Sequence, residues 1–210
     1  LKPCQSLFKL SKMKQPDLEN FVGIHNRKYC DGGQCIRLYK TFMKKKDPEA
    51  ANIVMGHNEE DLLGLGTIFS LLAYKKLYDG EYHPKQCVIL EQELKIVIEL
   101  SAAAPVNVSC GNSDFYLSVN GYEARMLVHL KEGKLRQYYR NYKDYEFIPG
   151  EDTAMPKSIT RYMDKSLKIA TTPQTCYTWF NCDEDFLNNE KKQMQYLTHT
   201  LPFFLDNLNK

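Results

Sequence analysis

The spacing of the apolar residues changes at Gly80, and this change restricts the chain to folds that combine helices with an antiparallel sheet. Before Gly80, Leu62, Leu65, Phe69 and Leu72 recur at intervals of three and four, which is the period of one helix face. After it, residues 93 to 100 place an apolar side chain at every second position, with Glu93, Lys95, Val97 and Glu99 between them, as in a half-buried strand. The sequence therefore predicts an α+β fold.

The helix predicted over residues 62 to 78 is apolar or small on nearly its whole circumference. Leu63, Thr67, Leu71 and Tyr74 add a further stripe beside the first. A helix of this kind is expected to be enclosed by protein. The further stripe either packs in the core or lines a cavity for an apolar, lipid-like ligand.

Several strand signals follow one another between residues 86 and 181. Asn120-Gly121 is a strong hairpin signal between strands predicted at 115–119 and 122–130, because both residues tolerate positive φ. Glu132-Gly133 predicts a turn into another strand at 134–142. Together they predict one antiparallel sheet of about five to six strands, packed against the central helix and a C-terminal helix.

The remaining segments are placed by helix-capping signals. Asp47-Pro48 predicts the start of the helical segment 47–79, with Asp47 as N-cap and Gly56 as a break. Asp183 predicts the start of an amphipathic helix over 183–209, kinked at Pro202. Residues 1–46 form a basic, loop-rich lead, and residues 1–210 are expected to form a single domain.

Seven cysteines are many for a chain of 210 residues, and none has the C-x-x-C spacing of a zinc ribbon. The first residue is Leu1, as after removal of a signal peptide, and Asn107-Val108-Ser109 is an N-glycosylation sequon. These features predict a secreted, extracellular glycoprotein tied by disulfide bonds. The best local pairs are Cys30 with Cys35 and Cys176 with Cys182.

Charge is distributed unevenly along the chain. Residues 1 to 46 carry eleven Lys and Arg against three Asp and Glu, whereas residues 47 to 61 carry five acids and no base. The basic lead suits an anionic glycan or lipid surface, or else is a solvated face. Nucleic acid is not expected as a partner of an extracellular chain, and no apolar run is long enough to span a membrane.

Sequence motifs for catalysis are missing. The serine hydrolase, zinc protease, P-loop and EF-hand patterns do not occur. His57 lies close to Glu59, Glu60 and Asp61, but acids at a predicted helix start already have a capping role. No cofactor and no metal are therefore predicted, and an enzyme of unrecognised type remains the second alternative.

One strand and its exit combine Tyr with Arg, the residues enriched at recognition hot spots. The predicted partner-binding residues are Arg136, Tyr138, Tyr139, Arg140, Tyr142 and Tyr145. The sequence thus favours a secreted, non-enzymatic protein that binds an extracellular protein partner through this surface. The alternative is an extracellular carrier of an apolar small molecule, held at Leu63, Thr67, Leu71 and Tyr74.

Overall fold

The computed structural model describes residues 1–25, 27–29 and 31–208. The helices are α1 (Gln5–Phe8), α2 (Gln15–Phe21), α3 (Gly32–Lys45), α4 (Pro48–Ile68), α5 (Leu72–Asp79), α6 (Lys157–Thr160), α7 (Glu184–Leu187) and α8 (Glu190–Asp206). The strands are β1 (Tyr82–Leu90), β2 (Glu93–Gly111), β3 (Phe115–His129), β4 (Lys134–Tyr138), β5 (Tyr145–Ile148), β6 (Thr153–Pro156), β7 (Ile169–Ala170) and β8 (Tyr177–Asn181). Helix occupies more of the basic lead than expected.

The described strands form three small antiparallel sheets, so the prediction of one sheet with five to six strands is wrong. The first sheet has the order β1-β2-β3, the second pairs β4 with β8, and the third has the order β6-β5-β7. The chain does turn tightly after β3, with Glu132 and Gly133 both at positive φ. Only Lys131 and Lys134 bridge that turn, however, and β4 then pairs with β8.

Packing against α8 explains why β4 does not join the first sheet. Tyr138 stacks on Phe203 of α8, with ring centroids 3.7 Å apart, and Leu135 is buried. These contacts join residues about sixty positions apart in sequence. A meander prediction considers only neighbouring strands and cannot anticipate them.

The predicted hairpin at Asn120-Gly121 is also wrong, because β3 runs through it without a turn. Gly121 has φ +55° and pairs with Ala104 inside the first sheet. Between Glu99 and Val108, β2 advances nine residues while β3 moves only four, from Glu123 to Val119. The positive φ of Gly121 therefore accompanies an irregular, bulged region of the strand pair.

The core lies between the first sheet and helices α5 and α8. Leu94, Ile96, Ile98 and Leu100 are buried, which confirms the predicted apolar face of this strand. Helix α5 packs on β2, while α8 contacts α5, β1 and β4. Asp183 caps α7 as predicted, but the C-terminal helix is interrupted, and Asn189 caps α8 separately.

Helix α4 begins at the Asp47 N-cap, as predicted, but continues through Gly56 to Ile68. Gly56 lies inside the helix, where the absence of a side chain makes room for the ring of Tyr29. A Cβ at this position would lie only 2.6 Å from Tyr29 Cε1. Gly64 similarly makes room for the carboxylate of Glu19. Both glycines therefore serve close packing within a helix.

The enclosure predicted for residues 62 to 78 holds only for their second half. Leu71, Tyr74 and Leu77 are buried, but Leu62 is 63% exposed and Phe69 is 66% exposed. Helices α2 and α3 pack on α4, and both Gly56 and Gly64 are buried on it. The opposite side, which carries Leu62 and Phe69, is left uncovered by the described residues.

The prediction that disulfide bonds tie the fold is also wrong for five of the described cysteines. Cys4, Cys87, Cys110, Cys176 and Cys182 are free thiols. Cys176 and Cys182 lie on either side of the extended strand β8, so their Cα atoms are separated by about 20 Å, well beyond the reach of a disulfide. Cys30 lies outside the described residues, so its pairing with Cys35 stays a prediction.

Burial raises the pKa values of all five free thiols, to about 12 for Cys87 and about 11 for each of the others. They are therefore protonated and poorly nucleophilic at neutral pH.

None of the helices within the described ranges has the length and apolar character needed to cross a bilayer.

Candidate functional site

The most cationic described element is α3, which lies within the basic lead. It begins where the Asp31 side chain accepts a hydrogen bond from Gln34 N at 3.0 Å. Its inner side is formed by buried Cys35 with half-buried Leu38 and Phe42, and the helix packs against α4. This is the pattern of an amphipathic helix with one face docked.

The other faces of α3 combine positive charge with exposed apolar groups. The exposed cations are Arg37, Lys40, Lys44, Lys45 and Lys46. None of them pairs with a described acidic residue. Ile36, Tyr39 and Met43 are also exposed on this helix. The arrangement gives α3 an unneutralised positive field, with an aromatic ring next to it.

A partly buried ionic network ties the segment before α3 to helices α2 and α4. Arg27 donates to both carboxylate oxygens of Glu19 at 2.7 Å and pairs with Asp61 at 2.7 Å. Gln15 Nε2 also donates to Glu19 Oε1, at 2.8 Å. The hydrogen bonds from Arg27 hold the pKa of Glu19 below its ordinary value. Glu19 is only 2% exposed, so this pairing is needed to keep the carboxylate inside.

Two of the three acids near His57 are occupied by protein groups, and the third, Glu59, is exposed. Asp61 pairs with Arg27 and lies 3.5 Å from His57 Nε2. The carboxylate of Glu60 accepts the backbone N–H groups of Lys28 and Tyr29, at 2.8 and 3.2 Å. Within the described part of the chain, no three His, Cys, Asp or Glu side chains are grouped so as to hold a metal ion.

The six predicted Tyr/Arg residues do not form one surface. Tyr138 is buried against Phe203, and Tyr139 stacks on Tyr145 with centroids 5.2 Å apart. Arg140 donates to Tyr78 Oη at 2.7 Å and lies 3.6 Å from Asp206. Strand alternation and the exit from β4 send the side chains to different neighbours.

Two of these residues, Tyr142 and Tyr145, line an open cavity of about 550 Å³ in the third sheet. Lys143, Lys157, Lys165 and Lys168 also line it, around a single carboxylate, Glu146. Glu146 already pairs with Lys168 at 2.9 Å and accepts a hydrogen bond from Thr160, and these contacts lower its pKa. This cavity is a second basic region, far from α3 in sequence.

The four residues predicted to line an apolar ligand cavity are divided between core and surface. Leu71 and Tyr74 are buried, whereas Leu63 and Thr67 are exposed. Tyr74 Oη accepts from Val106 N at 3.2 Å and donates to Val106 O. Tyr74 therefore joins α5 to the irregular part of β2, and the four residues do not share one lining. Nearby, Asn107 is exposed on β2; its glycosylation stays a prediction.

Comparison with known proteins gives one finding. Residues 1–73 match a family model, RNase_H_2, described as the RNase_H superfamily. The match covers 73 of 210 residues, all of them before β1. It includes α3, α4 and the network of Glu19, Arg27 and Asp61. No curated protein and no solved structure matches the chain.

This match overturns the functional predictions made from the sequence. A resemblance to a nuclease superfamily points to an enzyme-like segment and not to a secreted binding protein or an apolar carrier. The prediction that the chain is not an enzyme is corrected on the same ground. Short catalytic motifs could not indicate this class, because none of those considered above occurs in residues 1–73.

Proposed function

We propose that this protein binds nucleic acid and is related in function to the nucleases of the RNase H superfamily. The observation that carries the proposal is that the matched segment, residues 1–73, contains the exposed basic helix α3. The earlier exclusion of nucleic acid depended on an extracellular location. One consequence of that location, a disulfide between Cys176 and Cys182, does not fit the extended strand β8 between them.

The chemistry of α3 suits a phosphate backbone. Five cations within ten residues, without a described acidic partner, would neutralise phosphates and release their counterions. Exposed Tyr39 adds a ring on which an unpaired base can stack. Such contacts are largely independent of base sequence, so we expect binding with weak sequence preference and strong dependence on salt.

Hydrolysis of a phosphodiester commonly uses one or two metal ions held by clustered carboxylates. The described carboxylates of the matched segment do not fit this requirement, because no three of them are grouped so as to hold a metal ion. Of those near one another, Glu19 and Asp61 pair with Arg27, and Glu60 accepts two backbone N–H groups. We therefore derive no metal-dependent step from these residues. What the chain's own residues supply is backbone binding by α3.

Binding is tested with fluorescent single-stranded RNA and DNA of equal length, measured by anisotropy at several salt concentrations. Replacing Lys40, Lys44 and Lys45 by Gln should weaken binding. It should also reduce the magnitude of the slope of log K against log salt by about 2, because each of the three lost phosphate contacts contributes about 0.7. Replacing Lys143, Lys157 and Lys165 by Gln is the matched control, because it removes the same charge from the other basic region. Equal losses in both variants, or none in the first, would contradict the assignment to α3.

Heparin and anionic phospholipid vesicles form separate arms of this experiment. Preference for either of them over RNA and DNA at matched charge would replace nucleic acid with a glycan or lipid surface as the partner. Incubation of RNA, DNA and an RNA–DNA hybrid with Mg²⁺ or Mn²⁺ tests hydrolysis directly. Cleavage that disappears with EDTA would extend the proposal from binding to catalysis.

A further inference from the structure

A second pocket lies where the end of β3 meets β4, β8 and α8, outside the segment that matches the nuclease superfamily. It encloses about 280 Å³. Its apolar lining comes from Val128, Tyr138 and Phe204, and one side is formed by Trp179. Its polar residues are Asp114, His129, Lys131 and Arg136. An apolar pocket with a few convergent polar groups is the usual form of a small-molecule site.

The charges of this pocket are incompletely compensated. Arg136 lies over the rings of Tyr177 and Trp179, with its Cζ 4.5 and 4.6 Å from their centroids. The carboxylate it approaches, Asp152, is 4.0 Å away and already accepts hydrogen bonds from Tyr177 and Trp179. The Nε of Arg136 is buried without an acceptor among the described residues. Arg136 also has a side-chain hydrogen bond with Tyr138, and its side chain is 32% exposed, so an anion in the pocket would meet its terminal N–H groups and not the buried Nε.

Lys131 adds a second cation to the same rim. Its Nζ lies 5.7 Å from the centroid of Trp179, and it forms no ion pair with any described acid. Asp114 is the one carboxylate among the lining residues. Two permanent positive charges therefore lie at the mouth of an aromatic pocket, with Asp114 in its lining and Asp152 at the edge of ion-pair distance from Arg136.

The aromatic lining is held in place before any ligand binds. Trp179 Nε1 donates to Asp152 O at 2.9 Å. Tyr138 is fixed by its stack on Phe203, and Phe204 stacks on Phe115 with centroids 4.1 Å apart. A preformed site spends little binding energy on ordering side chains.

We propose that this pocket binds a small planar ring that carries one anionic group. The apolar and aromatic lining takes the ring, and Lys131 and Arg136 take the carboxylate or phosphate. The volume lies near the lower end of the range for ligand pockets, which limits the ring system to about the size of a benzoate or a pyrimidine nucleotide. This inference is independent of the proposed function, because it uses residues outside 1–73.

Trp179 is the single tryptophan of the chain, so its fluorescence reports on this pocket and on the adjoining open cavity that it also lines with Glu132 and Glu151. The full chain is titrated with benzoate and with uridine monophosphate, using excitation at 295 nm. Benzamide and uridine serve as neutral counterparts with the same rings. We expect saturable changes in emission with at least one anion, and binding about tenfold weaker for its neutral counterpart, the loss of one charge-assisted contact.

Two variants locate the anion, and circular dichroism checks that each is folded. Lys131→Gln should weaken binding of the anion about tenfold, whereas Lys157→Gln, which makes the same charge change in the cavity of the third sheet, should not. Saturation by benzoate alone would identify an aromatic acid, and saturation by the nucleotide alone a nucleoside phosphate. Absence of saturation by both, equal binding of the neutral compounds, or equal effects of the two variants would overturn the proposal.

Discussion

Two glycines in helix α4 should respond in opposite directions when each is replaced by Ala. Gly→Ala inside a helix normally stabilises by about 1 kcal/mol, because glycine loses more backbone entropy on folding. At Gly66 no atom lies within 4 Å of the new Cβ, so this gain is expected in full. At Gly64 the new Cβ would overlap the Glu19 carboxylate and lie 2.8 Å from its Cδ.

Glu19 cannot simply turn away from a methyl group at position 64, because Arg27 and Gln15 hold both of its oxygens inside the protein. Disrupting a buried ion pair costs about 3 to 5 kcal/mol. We use the lower end of this range, since the Arg27 side chain is 25% exposed and water screens it. After the gain of about 1 kcal/mol in helix propensity, Gly64→Ala should lose about 2 kcal/mol of folding free energy.

Urea unfolding and thermal melting, both followed by circular dichroism, measure the two changes. For a chain of this size, about 1 kcal/mol corresponds to about 2–4 °C in Tm, so Gly64→Ala should melt about 4–8 °C below the parent and Gly66→Ala about 2–4 °C above it. In a Glu19→Ala background, where no carboxylate meets the new methyl group, Gly64→Ala should become stabilising. Equal stabilisation by both glycine substitutions in the parent would refute the packing of Glu19 on α4.

Three further predictions concern other parts of the molecule. The five free cysteines named above should react slowly with a thiol reagent in the native protein and rapidly in urea, whereas mass spectrometry without reduction should find Cys176 and Cys182 unlinked; a bridge between them would contradict the extended β8. Because Arg27 lowers the pKa of Glu19, this pair stabilises the fold fully above the ordinary Glu pKa of about 4.3 and loses that contribution as pH falls through the lower folded value. Urea midpoints between pH 6 and pH 3 should therefore fall more steeply for the parent than for Glu19→Gln, and parallel curves would argue against the pairing. Tyr74→Phe should cost about 1–3 kcal/mol in urea unfolding, because Val106 loses its partners in a buried region, and a neutral result would contradict that contact.

The sequence itself determined those features that depend on neighbouring residues. Asp47 and Asp183 cap helices where predicted, because a short side-chain oxygen reaches backbone N–H groups two or three residues ahead. The face of Leu94, Ile96, Ile98 and Leu100 is buried because strand alternation fixes which side chains share a side. The basic character of residues 37 to 46 could likewise be recognised from composition alone.

Only the tertiary structure decided the features that join distant residues. The pairing of β4 with β8 depends on packing against α8, and the two internal glycines of α4 depend on Tyr29 and Glu19. The pocket at Trp179 combines groups from four elements, and although the Tyr/Arg pattern drew attention to Arg136 and Tyr138, nothing in the sequence joined them to Trp179 or Phe204. Local patterns constrain dihedral angles and faces over a few residues, whereas these contacts depend on which surfaces meet after the chain has folded.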